Sequence, residues 1–265
     1  MYVTKASGRK EEFDSEKVKQ TCLRAGASEE LAEEVVGEVE SRAYDGIPTK
    51  DILEIILQLL EEEPGAEMRY DLKKAIMDFG PTGFPFENFV SEILEEHGYE
   101  TEVGKTLKGK CVPQEIDIVA ERDGKSYLVE CKFHNSAGLY TGLKVAMYTY
   151  ARFLDLKDRF QHPWLITNTK CSTDAKHYAE CVDERVTSWN YPEDSLRKMI
   201  ESKKLYPVTV LKSVDSSLLK KLFKSNLTLA KNITEHELKD LEKMTKIPEE
   251  TLRQMREEAI KVIQV

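Results

Sequence analysis

Pro113-Gln114-Glu115-Ile116-Asp117-Ile118-Val119 and Tyr127-Leu128-Val129-Glu130-Cys131-Lys132 are two runs of strand-forming residues joined across Glu121-Arg122-Asp123-Gly124-Lys125. An Asp-Gly pair between such runs is the strongest short-range signal for a tight hairpin. With Asp123 and Gly124 as its two turn residues, Asp117 comes to lie opposite Glu130, and Glu115 opposite Lys132. Side chains alternate between faces along a strand, so these four charges share one face at the end remote from the turn. Ile116, Ile118, Ala120, Tyr127, Val129 and Cys131 make up the opposite, apolar face. Like charges facing each other across a sheet are destabilising unless a cation lies between them, and a divalent metal is such a cation. The same spacing also fits a solvated sheet face carrying a Glu115–Lys132 ion pair, which by itself contributes little.

The chain has 265 residues, 33% charged and 40% hydrophobic, a composition that suits a globular protein of two or three domains rather than a disordered tail. No apolar run approaches the roughly 18 residues of a membrane helix, and a patterned segment begins at once without a signal peptide before it. The five cysteines form no C-x-x-C pair. They are expected to be reduced thiols of an intracellular, cytoplasmic protein rather than a zinc site or a disulfide framework. The net charge of −9 is unevenly spread: residues 1–80 carry −8, residues 81–211 carry −3 and residues 212–265 carry +2. A polyanionic partner would therefore favour the last two thirds of the chain.

Along the chain, Tyr2-Val3-Thr4-Lys5 and Glu11-Glu12-Phe13 predict a small hairpin, and Asp14 or Ser15 caps a helix over 15–25. Helical spacing recurs in Leu31, Val35, Val36 and Val39 and again in Ile52, Ile55, Ile56, Leu59 and Leu60. Gly80-Pro81-Thr82-Gly83 reads as a linker. Beyond it the order is a helix over Phe86–His97, a strand near Tyr99–Val103 and the hairpin. A helix around Tyr140–Phe160, a strand at Trp164–Thr167, a helix over Asp174–Glu184, a strand near Val186–Trp189 and a helix over Pro192–Ser202 follow. That alternation predicts a mixed α/β sheet covered by helices. After Val210 the chain turns helical and basic, with Lys212, Lys220, Lys221, Lys224 and Lys231, and three short helices are expected over 216–224, 235–244 and 249–263.

The order helix with Glu87, strand, hairpin with Asp117 and Glu130-Cys131-Lys132, helix, strand, helix resembles the PD-(D/E)xK nuclease core. Its nearest likeness is to Mrr-like restriction endonucleases and archaeal Holliday-junction resolvases, and Ile166-Thr167-Asn168 with Ser172-Thr173-Asp174-Ala175 and Tyr178-Ala179 looks like the Mrr-type strand and helix. The proline common before the aspartate in that branch is replaced by Ile116. The resemblance implies that Asp117, Glu130 and the Cys131 carbonyl hold Mg²⁺ or Mn²⁺. It implies that Lys132 positions the attacking water and offsets transition-state charge, with Glu87 completing the metal shell and Glu115 as a further candidate. Hard oxygen donors suit such an ion. DNA is the implied substrate, and a homodimer is expected if both strands of a duplex are cut.

Residues 1–80 resemble an ATP-cone, a nucleotide-sensing domain, through Val3-x-Lys5-x-x-Gly8-Arg9-x-Glu11-x-Phe13-Asp14-x-x-Lys17 and Ile47-Pro48-Thr49-x-x-Ile52. By that likeness Lys5 and Lys17 meet the phosphates of ATP or dATP, while Glu11, Asp14 and Thr49 contact base, ribose or metal. The usually basic position after Lys5 is Ala6, for which Arg9 is a candidate substitute. The tail resembles a helix-hairpin-helix through Leu238, Leu241, Met244-Thr245-Lys246-Ile247-Pro248, Leu252 and Ala259, with Lys246 where glycine is usual. The expected architecture is thus an ATP-cone-like domain over 1–80, an Mrr-like nuclease domain over 84–211 and a helical tail over 212–265. The expected function is a metal-dependent DNA endonuclease under nucleotide control. A nucleotide-sensing DNA-binding regulator that uses the same fold without catalysis is the alternative.

Overall fold

The computed structural model describes every residue but Ala6, Ala137 and Val265, so the departure at Ala6 lies outside the described residues. The N-terminal hairpin forms from β1 (Tyr2–Thr4) and β2 (Lys10–Glu12), followed by α1 (Ser15–Arg24) and α2 (Glu29–Arg42). Asp14 caps α1 by accepting from the Lys17 N–H at 3.0 Å, and Ser28 caps α2 through Leu31 at 3.1 Å. Each cap satisfies a backbone donor that the first helical turn leaves free. The short strand β3 (Ile47–Pro48) then pairs in parallel with β1, a contact that two residues of sequence do not announce. Helices α3 (Thr49–Leu60), α4 (Ala66–Tyr70) and α5 (Leu72–Met77) follow. Val3, Val35, Val39, Ile47, Ile52, Ile56 and Leu60 are buried in one cluster, which joins both helical stripes to the small sheet.

The central region opens with α6 (Phe84–Glu96), which ends at Gly98 with φ 84°. Then come β4 (Glu100–Lys108), β5 (Pro113–Arg122), β6 (Lys125–Lys132), β7 (Tyr140–Thr141), α7 (Leu143–Asp155), β8 (His162–Thr167), β9 (Lys170–Cys171), α8 (Thr173–Cys181), β10 (Arg185–Thr187) and α9 (Leu196–Ser202). The main sheet has the order β10-β8-β6-β5-β4. Strands β4, β5 and β6 are antiparallel, and β6, β8 and β10 are parallel. Ile118, Ala120 and Val129 of the expected apolar face are buried, and so is Leu128 on the opposite face; Ile116, expected with the first three, is instead buried in one cluster with Leu128, Phe153 and Phe160. The sheet is therefore covered on both sides. Helix α7 starts later than periodicity predicts, because Tyr140–Thr141 pairs with Lys170–Cys171 in a separate two-stranded ribbon.

The hairpin turn has Asp123 at φ 52° and Gly124 at φ 72°. Two successive positive φ values are those of the I′ turn whose twist matches antiparallel strands. The register follows it, with Arg122 opposite Lys125 and Ile118 opposite Val129. Pairing ends there. The expected cross-strand pairs Asp117–Glu130 and Glu115–Lys132 are not part of the ladder, and Glu115 instead pairs with Thr106 of β4.

After a 3₁₀ turn at Val208–Val210, the C-terminal helices are α10 (Ser216–Lys224), α11 (Ala230–Glu235), α12 (Leu238–Thr245) and α13 (Glu249–Ile263), four where three were expected. The chain divides into two compact units. One combines Met1–Ala75 with Val208–Ser225 and the residues from Ala230 on, and the other holds Ile76–Pro207 with Asn226–Leu229. The C-terminal helices, read from sequence as a domain of their own, thus share a unit with the first 75 residues. The reason is a specific dock. Arg69, only 5% exposed, donates to the carbonyls of Ala25, Pro64, Lys261 and Val262, the last two at the end of α13. A cation there meets the negative end of the helix dipole and carbonyls that have no intrahelical donor.

Candidate active site and nucleotide cavity

Where the β5–β6 ladder opens, a side chain takes over from the backbone. Asp117 accepts from the Cys131 N–H at 2.7 Å. Glu130 follows Val129, the last residue of β6 paired with β5, and ion-pairs with Arg152 of α7, with side-chain exposures of 14% and 11%. Arg152 in turn donates to the Tyr148 hydroxyl and lies over that ring at 4.6 Å. Glu87, in the first turn of α6, brings a third carboxylate.

Burial raises the Glu87 carboxyl to about 7, with the charges of Asp117 and Glu115 adding to it. Burial also raises Glu130 to about 7, with Asp117 pushing the same way and Arg152 opposing. Burial lifts Asp117 as well, against the Cys131 N–H and Arg152. Three acids in one partly desolvated place make the loss of each proton harder for the others, and a cation relieves that. The donors are all oxygens, which fits Mg²⁺ or Mn²⁺ in kind. Among the described residues no three His, Cys, Asp or Glu side chains already form a coordination set. Glu130 is engaged by the guanidinium instead.

The predicted residues distribute as follows. Asp117, Glu130 and Glu87 interact electrostatically, and Lys132 is near enough to favour the ionised forms of Asp117 and Glu130. Among the described residues Lys132 has no ion-pair partner, so the Glu115–Lys132 bridge of the solvated-face reading is not formed. Glu115 acts on Asp117 and Glu87 through its charge. The Cys131 thiol is buried, and burial pushes it well up, so only its backbone faces this chemistry. Arg152 is the member whose role in holding Glu130 the sequence reading missed. The signal available was an arginine one turn after Tyr148 on the helix that follows the hairpin.

In the first unit a cavity of about 320 Å³ is lined by Val3, Lys5, Glu11, Asp14, Lys17 and Thr49, six of the seven residues chosen by resemblance. Arg9 is outside that lining but reaches Glu11 at 3.5 Å, as Lys5 does. The Lys5 ammonium beside Glu11 holds its carboxyl below the usual range, with Lys17 and Arg9 adding to the effect. Asp14 has a second task as the cap of α1. Thr21, Ile52 and Tyr70 also line the cavity, and burial raises the Tyr70 phenol. Tyr70 lies far along the chain from the hairpin and enters only because α4 folds back. The basic tail is partly spent internally. Lys212 pairs with Glu61 and Glu67, and Lys221 donates to the Lys246 carbonyl, while Lys220 and Lys224 are exposed. All five cysteines are free thiols, and no described helix is long and apolar enough to cross a membrane.

Two family models match the chain. The family model described as ATP cone domain matches residues 1–71, and the one described as restriction endonuclease, of the Mrr catalytic type, matches residues 81–193. An uncharacterized protein of Archaeoglobus fulgidus is 51% identical over 146 residues, which cover 54% of this chain and 83% of the relative. A second uncharacterized protein of that organism is 53% identical over 42 residues, 16% of this chain and 87% of the relative. A crystal structure described as the protein of unknown function AF1548 superposes with a TM-score of 0.63 at 44% identity, covering 69% of this chain and 99% of that one. The chain belongs to the family in which an ATP-cone domain is followed by a restriction endonuclease domain of the Mrr type.

Proposed function

We propose that this protein is a divalent-metal-dependent endonuclease that hydrolyses DNA phosphodiester bonds and is regulated by ATP or dATP bound in the N-terminal cavity. The observation that carries the reading is the meeting of Asp117 and Glu130 at the opened end of a hairpin, with Glu87 arriving from α6, Arg152 ion-paired to Glu130 and Lys132 acting on both acids through its charge. Asp117, Glu130 and the Cys131 carbonyl would hold Mg²⁺ or Mn²⁺, with Glu87 and Glu115 as additional acids. When bound, such an ion supplies Lewis acidity toward water and phosphate. Lys132, with no ion-pair partner of its own among the described residues, orients the attacking water and offsets negative charge as the phosphate accepts it. The product carries a 5′-phosphate.

In the cavity, Lys5 and Lys17 would receive phosphates, Lys5 exchanging its contact with Glu11 for a ligand oxygen. The nucleotide is an effector, since the sequence has no GxxxxGK[ST] loop for hydrolysis. A cleavage assay with Mg²⁺ on supercoiled, single-stranded and branched DNA tests the first half of the proposal. Wild type is expected to cut at least one form and Glu130→Ala none, and cleavage that survives the substitution removes the catalytic assignment. Calorimetry with ATP and dATP tests the second half: no heat from either with folded protein would end the effector reading.

A further inference from the structure

Arg152 does more in this site than a static ion pair requires. Its guanidinium is shared between Glu130 and Tyr148, and among the described residues its buried Nε–H has no acceptor. A buried donor left unmade costs about 1–3 kcal/mol, so the group still has bonding capacity that neither neighbour fills. Tyr148 lies one helical turn earlier and is 53% exposed, so the guanidinium rests on a ring that faces outward.

We propose that Arg152 is a built-in counter-ion that yields Glu130 to the divalent cation and then, held against Tyr148, receives a backbone phosphate of the DNA. This rests on the nuclease reading above and adds an order of events to it. A carboxylate oxygen in direct contact with a guanidinium is not free for a metal ion, so the two cations compete for Glu130. Releasing Arg152 with no new partner would strand a charge at a half-buried place, which is costly. The Tyr148 ring supplies a cation–π seat and its hydroxyl an acceptor, so the side chain can leave Glu130 without leaving the site. The planar fork then matches two oxygens of a phosphodiester, the geometry for which arginine is suited. Metal and DNA thereby favour each other: the ion frees the guanidinium, and the phosphate keeps it from returning.

The test measures Mn²⁺ binding without DNA by calorimetry at pH 8 and, separately, binding of a labelled duplex by fluorescence anisotropy in Ca²⁺. Arg152→Gln is expected to bind Mn²⁺ about tenfold more tightly than wild type, the loss of one competing contact of about 1.4 kcal/mol, and to bind the duplex about tenfold more weakly. Tyr148→Phe keeps the ring and loses the hydroxyl; it is expected to leave Mn²⁺ binding unchanged and to weaken duplex binding by about threefold. A variant Arg152→Gln that weakens both ligands marks a purely structural bridge and overturns the proposal. So does Mn²⁺ binding that Glu130→Ala abolishes and Arg152→Gln does not change, which leaves the nuclease reading standing. Mn²⁺ binding equal in all of these proteins, Glu130→Ala included, overturns both. If Arg152→Gln does not fold, Tyr148→Phe decides, and unchanged duplex affinity there overturns the proposal.

Discussion

Asp117 accepts the Cys131 N–H at the point where β5 and β6 stop pairing, so one carboxylate both closes the hairpin's open end and faces the site. The structural and chemical tasks of that residue can be separated by substitution. Asp117→Asn keeps an acceptor for the amide and should change stability by less than about 1 kcal/mol, while cleavage falls by at least about 100-fold. Asp117→Ala strands the buried N–H and should also cost about 1–3 kcal/mol. Denaturant unfolding beside the cleavage assay checks both. Equal stability of the two variants would mean the hydrogen bond contributes nothing.

Glu184 provides a pH-dependent stability. It is 5% exposed, neither carboxylate oxygen has a partner among the described residues, and burial raises its carboxyl to about 8. The folded state therefore binds this proton more tightly than the unfolded chain. Its contribution is unaffected below the ordinary carboxyl range and declines as pH rises from there to about 8. Glu184→Gln should match wild type near pH 4 and exceed it at pH 9 by about 5 kcal/mol. Thermal unfolding across pH reads this directly, and a pH-independent difference would show that Glu184 is not buried as an acid.

The turn between α12 and α13 holds Lys246 at φ 58°, a left-handed conformation that side chains disfavour and glycine adopts freely. Lys246→Gly should raise stability by up to about 1 kcal/mol. Because the Lys246 backbone carbonyl accepts from Lys221, that contact survives the change. Chemical denaturation measures it, and a loss of stability would mean that the lysine side chain has its own packing role.

The dock of α13 depends on Gly65 as well as Arg69. A Cβ at Gly65, whose φ is 77°, would sit 2.5 Å from the Lys261 carbonyl oxygen. Gly65→Ala and Arg69→Met should each cost about 2–4 kcal/mol and loosen the end of α13. Hydrogen exchange should show the amides around 258–263 exchanging faster in both. Unchanged protection there would mean the helix is held by its apolar face alone.

Much of the fold was legible because it is written in local chemistry. The Asp123-Gly124 turn set the register of β5 and β6, the caps and apolar spacing placed α1, α10 and α13 close to their observed bounds, and the alternation of strands and helices gave the mixed sheet. The two-residue strands β3, β7 and β9 were missed because they exist only by pairing with distant segments. The helix expected from Tyr140 lost its first turn for the same reason.

By itself the sequence determined the two domain families, the hairpin and the set of acids that meet at its end, since turn type and strand alternation are local and fix which side chains share a face. Tertiary structure alone decided what those acids touch. It put Asp117 on a backbone N–H rather than opposite Glu130, gave Glu130 to Arg152, brought Tyr70 to the N-terminal cavity and set the C-terminal helices on Arg69. Each of these is a contact between groups far apart in the chain, where the cost of leaving a buried charge or donor unmatched, not local preference, selects the partner.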